Sequence, residues 1–184
     1  MSPTICPQCG GNNTSLATLP LLYCGDCQIT FGGDHRELVA TTRQIVLNTY
    51  QQGAASQNLT FTQTLAGATI EGPFLCYYPD LPEIYIDHQQ WQQLLAGFWG
   101  LYVRDWKAEY VADAAPEHAD SAFGWDLKII YADQEPLLSK GQGLYPPYWS
   151  ALMDLFTSFG LPNIGKALGQ NFLQLQAQTS RSDQ

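Results

Sequence analysis

Basic side chains are the scarcest feature of this chain. Eight Lys and Arg stand against 17 Asp and Glu, for a net charge of −9. The cations (Arg36, Arg43, Arg104, Lys107, Lys128, Lys140, Lys166 and Arg181) are scattered, and none precedes Arg36. A surface this poor in clustered positive charge repels phosphate, which disfavours nucleic acid and anionic membranes as partners. Histidine is nearly as sparse. His35, His88 and His118 stand far apart, with no H-E-x-x-H helix to hold a metal and no Cys-His context to activate a nucleophile. Long apolar runs are missing as well. No stretch approaches the roughly 20 residues that cross a bilayer, and Met1 to Cys6 lacks the basic and apolar regions of a signal peptide. GxGxxG, a P-loop lysine and the G-x-S-x-G elbow are all absent. Together these gaps predict a soluble, cytoplasmic protein that is not an enzyme.

What the chain does have is cysteine in a telling arrangement. Cys6-Pro7-Gln8-Cys9 and Cys24-Gly25-Asp26-Cys27 are two C-x2-C pairs with fourteen residues between them. Each spacing lets one tight turn aim two sulfurs at a single cation. Two such turns joined by a hairpin make a closed four-thiolate tetrahedron, the arrangement structural zinc prefers. The expected ligands are therefore Cys6, Cys9, Cys24 and Cys27, and the expected cofactor is structural Zn2+; iron, as a [2Fe–2S] or rubredoxin-type centre, is the alternative occupant. Paired thiolates awaiting a metal suit a reducing compartment. The fifth cysteine, Cys76, lies between Leu75 and Tyr77 in an apolar stretch and reads as a small buried hydrophobe.

The patterns divide the chain into three parts. Residues 1–33 read as a zinc ribbon, with Leu16 to Tyr23 running up as one strand and Gln28 to Phe31 running back. A unit this short buries too little apolar area to fold alone, so metal would supply its folding energy, about 10–16 kcal/mol of apparent binding. Residues 34–160 read as an α+β domain, a mainly antiparallel sheet with two helices packed on one face. Its strands are expected around Ile45–Leu47, Leu59–Thr62, Ala68–Ile70, Phe74–Tyr77 and Ile84–Ile86. The clearest strand places Phe123, Trp125, Leu127, Ile129 and Tyr131 on one side and Gly124, Asp126 and Lys128 on the other.

Two helices complete that domain. Asp87 is the expected N-cap of a helix with Trp91, Leu94, Leu95, Phe98 and Tyr102 on one face. A second helix groups Tyr148, Leu152, Leu155, Phe156 and Phe159 and ends at Gly160. Residues 161–184 read as a weaker C-terminal helix and a frayed tail.

Several further features have both a chemical and a plain reading. His118 lies in an acidic loop with Asp113, Glu117 and Asp120, and a solvated loop explains it better than an acid–base cluster. If residues 104–110 are helical, Asp105 and Glu109 share a face with Arg104 and Lys107 nearby, and surface ion pairing accounts for them. Gly141-Gln142-Gly143 reads as a flexible turn. The five tryptophans read mostly as core, with Trp99 and Trp149 as a possible exposed rim for protein binding. Without a cation before Arg36 the ribbon has no basic groove for nucleic acid, and another protein is the better partner.

The stretch from Trp91 to Phe159 resembles a widespread family of bacterial proteins of unknown function. The likeness lies in Trp106-x3-Tyr110, Trp125-x-Leu127-x-Ile129, and Ser139-x-Gly141 leading to Tyr145-Pro146. It implies an α+β domain with a strand-rich N-terminal half and assigns no catalytic residue. The expectation for the whole chain is a zinc-stabilised, non-enzymatic binding or adaptor protein; a nucleic-acid-associated zinc-ribbon protein is the alternative.

Overall fold

The computed structural model describes residues 4–51, 56–72, 84–111 and 123–165. Three short strands come first: β1 (Thr14–Thr18), β2 (Leu21–Cys24) and β3 (Ile29–Gly32) form an antiparallel sheet of their own. The single strand expected over Leu16–Tyr23 is instead a hairpin that turns at Leu19-Pro20. Proline has no N–H to give a ladder, so a strand running through Pro20 would lose a bond there.

The remaining elements are α1 (Arg36–Thr41), β4 (Thr42–Gln51), β5 (Gln57–Gln63), β6 (Gly67–Glu71), β7 (Ile84–Asp87), α2 (His88–Gly100), β8 (Glu109–Val111), β9 (Phe123–Tyr131), β10 (Leu137–Gln142) and α3 (Trp149–Ser158). Their strands make one seven-stranded sheet in the order β7-β6-β5-β4-β9-β10-β8. Neighbours run antiparallel except β10 with β8. The protein is thus α+β with mainly antiparallel sheets. Among the described residues of 34–160 there are three helices where two were expected; α1 is six residues long and buries no residue fully, so it left no amphipathic signature to read.

The core lies on one face of the large sheet. On β9 the buried side chains are Phe123, Trp125, Leu127, Ile129 and Tyr131, the alternation that a strand with one covered face must show. Ile45, Leu47 and Thr49 of β4 and Leu59 and Phe61 of β5 face the same core. Helix α2 covers it with Trp91, Leu94, Leu95, Phe98 and Trp99, each worth about 1.5–3 kcal/mol on burial. Asp87 caps α2 as expected, accepting from the Gln90 N–H while the Gln90 side chain accepts from the Asp87 N–H. From α3, Phe156 packs on Phe61 with ring centres 5.0 Å apart. Two buried hydroxyls tie the layers: Thr42 accepts from the Trp99 indole at 3.2 Å, and Thr49 donates to the Ile164 carbonyl at 2.7 Å.

The structure corrects four further expectations. Trp99 and Trp149 form no exposed rim, since Trp99 is wholly buried and Trp149 packs between Trp125 and Tyr145. Tyr102 is not on the α2 stripe: the helix stops at Gly100, and Tyr102 takes a left-handed conformation (φ 56°) that swings its ring toward the N-terminal sheet. Residues 104–110 are not a helix either. A 3₁₀ turn at Val103–Asp105 gives way to the strand β8, so Glu109 pairs with Lys140 across strands at 3.3 Å while Asp105 points elsewhere. Gly141 belongs to β10, where a Cβ would come within 2.4 Å of the Trp125 indole nitrogen and 2.5 Å of the Leu144 carbonyl. It is required by close packing and not by a flexible turn. Cys76, the strand expected over Phe74–Tyr77, the His118 loop and the segment beyond Gly165 lie outside the described residues.

Candidate metal centre

Each C-x2-C pair sits on a turn built to the same plan. The Cys6 carbonyl accepts from the Gly10 N–H at 2.9 Å, and the Cys24 carbonyl accepts from the Gln28 N–H at 2.9 Å. Gly10 and Gln28, each four residues past the first cysteine of its turn, both adopt positive φ, 73° and 57°. That conformation curls the chain back beneath the sulfurs, and Gln28 adopts it without the freedom that glycine brings. Backbone N–H groups also point at sulfur, from Gly11 to Cys9 Sγ at 3.4 Å and from Cys27 to Cys24 Sγ at 3.5 Å. Asn13 donates to Asp26 at 2.9 Å, linking the two turns at their rims.

The two turns bring all four sulfurs together. Every Sγ lies within 4.8 Å of the others, and the pairs that bridge the turns are Cys6–Cys27 at 3.9 Å and Cys9–Cys24 at 3.8 Å. A metal at about 2.3 Å from each corner of a tetrahedron needs sulfurs about 3.8 Å apart, so the cage has the size of a metal site. Cys6 and Cys24 are fully buried, Cys27 is half-buried and Cys9 is exposed. Burial pushes the Cys6 thiol pKa up, and a hydrogen bond with Cys9 raises that of Cys27. The Cys9 thiol is lowered by that bond with Cys27 and then by the Gly11 N–H. Cys9 is thus a readier thiolate than Cys6 or Cys27, and a cation bound in the cage would displace the protons of those two.

The cage is fixed to the α+β domain, a connection the sequence left unread. The carbonyls on either side of Cys6 are both taken: Tyr148 Oη donates to the Ile5 oxygen and Tyr110 Oη to the Pro7 oxygen, each at 2.9 Å. The Tyr110 hydroxyl also accepts from the Lys107 N–H at 3.1 Å. Burial raises both tyrosine pKa values to about 12, so both hydroxyls keep their protons and remain donors at neutral pH. Gln8 donates to the Asp105 carbonyl at 3.1 Å, and the Asp105 carboxylate accepts from the Gly32 N–H at 3.0 Å. Arg104 donates to the Gly32 carbonyl, and the Phe31 ring meets Tyr102 edge to face at 5.2 Å. Asp105 is therefore a docking residue, and its other carboxylate oxygen lies 4.0 Å from the Arg104 guanidinium, the ion pair the sequence suggested. Beneath this junction the ring of Tyr110 leans on Trp125, which also contacts Trp106 and Trp149.

Elsewhere on the surface, a shallow depression of about 510 Å³ is lined by Gln63, Thr64, Leu65 and His88. It offers a single titratable side chain, too few for acid–base chemistry. Among the described residues no helix is long and apolar enough to cross a membrane. Comparison with known protein families, characterised proteins and solved structures finds no match.

Proposed function

We propose that this chain is a zinc-stabilised, non-enzymatic binding protein of the cytoplasm. Cys6, Cys9, Cys24 and Cys27 would hold structural Zn2+ in a zinc ribbon, and the α+β domain with its docked ribbon would present the contact surface to another protein. The observation that carries this reading is the four-sulfur cage whose buried corner, Cys6, is gripped through both flanking carbonyls by Tyr110 and Tyr148. A cage whose four positions are all protein thiolates leaves none for substrate or water, which suits a structural and not a catalytic metal. The acidic surface and the cation-free ribbon support a protein partner over nucleic acid. The family likeness across Trp91–Phe159 fits the same domain and adds no activity.

Elemental analysis of the purified protein tests the metal, with one zinc per chain expected and none in a Cys24→Ser/Cys27→Ser variant. An iron chromophore in place of zinc overturns that part. A nuclease-treated pull-down tests the partner. Retention of a specific protein by the zinc-loaded chain is expected, whereas salt-dependent retention of DNA or RNA would establish the alternative, a nucleic-acid-associated zinc-ribbon protein.

A further inference from the structure

The four sulfurs of the cage are unevenly covered. Cys6 and Cys24 are buried with Phe31 in the small core of the N-terminal sheet, Cys27 is half-buried, and Cys9 faces solvent. Gly10 and Gly11 follow Cys9 and bring no side chain to shield it. A small dissolved reagent therefore meets the cage first at Cys9, and sulfur oxidation follows thiolate character and access.

The sulfurs are also paired. Sulfur faces sulfur in hydrogen-bond geometry between Cys9 and Cys24 at 3.8 Å and between Cys6 and Cys27 at 3.9 Å. Both pairs join one turn to the other, and together they use each sulfur once. On the near side of each turn a sulfur accepts from backbone instead, Cys9 Sγ from the Gly11 N–H at 3.4 Å and Cys24 Sγ from the Cys27 N–H at 3.5 Å. Disulfide sulfurs lie about 2 Å apart, so each sulfur of a facing pair has only roughly 1 Å to travel.

We propose that the cage is a peroxide-sensitive switch in which Cys9 is oxidised first and the four sulfurs end as two disulfides, Cys9–Cys24 and Cys6–Cys27. Hydrogen peroxide is the oxidant. The Cys9 sulfur attacks one peroxide oxygen; the S–O bond forms, the O–O bond breaks and hydroxide leaves, giving a sulfenic acid. The Cys24 sulfur then attacks the Cys9 sulfur; the S–S bond forms, the S–O bond breaks and the second oxygen leaves as hydroxide. Two sulfurs thus give up two electrons to one peroxide. Cys27, the next most open sulfur, takes a second peroxide in the same way, and Cys6 closes on it.

Each disulfide withdraws two thiolate ligands, so a metal held by the cage is lost as the pairs form. The ribbon keeps its shape, because both bonds tie turn to turn where the metal did. A disulfide carries no charge, so its sulfurs can remain in the small core beside Phe31. Cys6 stays in place, and the carbonyls of Ile5 and Pro7 keep their bonds from Tyr148 and Tyr110. The switch rests on the same cage as the proposed function but needs only its four sulfurs.

Peroxide treatment of the zinc-loaded full chain tests it, with zinc measured before and after and disulfides mapped by mass spectrometry. At limiting peroxide, dimedone is expected to trap the first sulfenic acid on Cys9. At excess, the map should show Cys9–Cys24 and Cys6–Cys27 with the zinc lost, while the amides of β1, β2 and β3 stay protected from hydrogen exchange. Cys76→Ser should give the same map, which separates the cage from the fifth thiol. A disulfide within one turn, Cys6–Cys9 or Cys24–Cys27, overturns the pairing; so does a first adduct on another cysteine, or zinc retained against excess peroxide. Oxidation that releases the β1–β3 amides rejects the turn-to-turn staples. If the untreated chain holds no zinc, the zinc reading falls on that number alone and the disulfide map still decides the switch.

Discussion

His35 sits where the two sheets meet, with Nδ1 buried and unpartnered. Its pKa is lowered, first by burial and then by the nearby Arg104, with Asp105 and Asp34 pulling the other way. The unfolded chain therefore binds a proton at His35 more readily than the folded one. Stability from this residue is complete above its ordinary pKa of about 6.5 and falls as the pH drops below it. Urea unfolding at constant metal content is expected to show a midpoint that declines from pH 7.5 to pH 5.5, with a shallower decline in His35→Gln. Equal slopes would remove His35 as the cause. Gly141 gives a second residue-scale prediction. A Cβ there has no room between Trp125 and Leu144, so Gly141→Ala should cost about 1–3 kcal/mol by overpacking, read as a lower melting temperature.

At the scale of elements, the sheet and helices were legible where each carries its own periodicity. β9 alternates over nine residues, and α2 has both a capping box and an apolar stripe. The ends of elements were harder to read. Tyr102 continues the α2 stripe in sequence but belongs to the junction with the N-terminal sheet, because Phe31 and Tyr148 hold its ring there. The same junction makes Tyr110 and Tyr148 positioning residues for the cage. Tyr110→Phe leaves the Pro7 carbonyl and the Lys107 N–H without their partner, a loss of about 1–3 kcal/mol. Metal transfer to a colorimetric chelator is expected to accelerate about tenfold, and more in the double variant with Tyr148→Phe. An unchanged transfer rate would mean that the hydroxyls do not hold the cage.

For the whole molecule, the question is how far the loss of metal spreads. The N-terminal sheet has a small core of Cys6, Cys24 and Phe31, whereas the large sheet has a broad one of its own. Chelation is expected to release the amides of β1, β2 and β3 to hydrogen exchange while β4 and β9 stay protected. Loss of protection in all five strands would show that the two sheets fold as one cooperative unit. The docking contacts also predict that Trp125 fluorescence changes on chelation, since Tyr110 joins that indole to the cage.

The sequence alone determined what is local: two cysteine turns with metal spacing, the capped helix α2, the alternating strand β9 and the lack of cations before Arg36. Each is written within a few residues, where backbone geometry converts spacing directly into direction. Only the tertiary structure decided what the cage rests on. Tyr110 and Tyr148 reach carbonyls separated from them by 103 and 143 residues, and no periodicity encodes such a meeting. A hydrophobic pattern states which face of an element is buried; the topology of the sheet and the closure of the intervening chain decide what buries it.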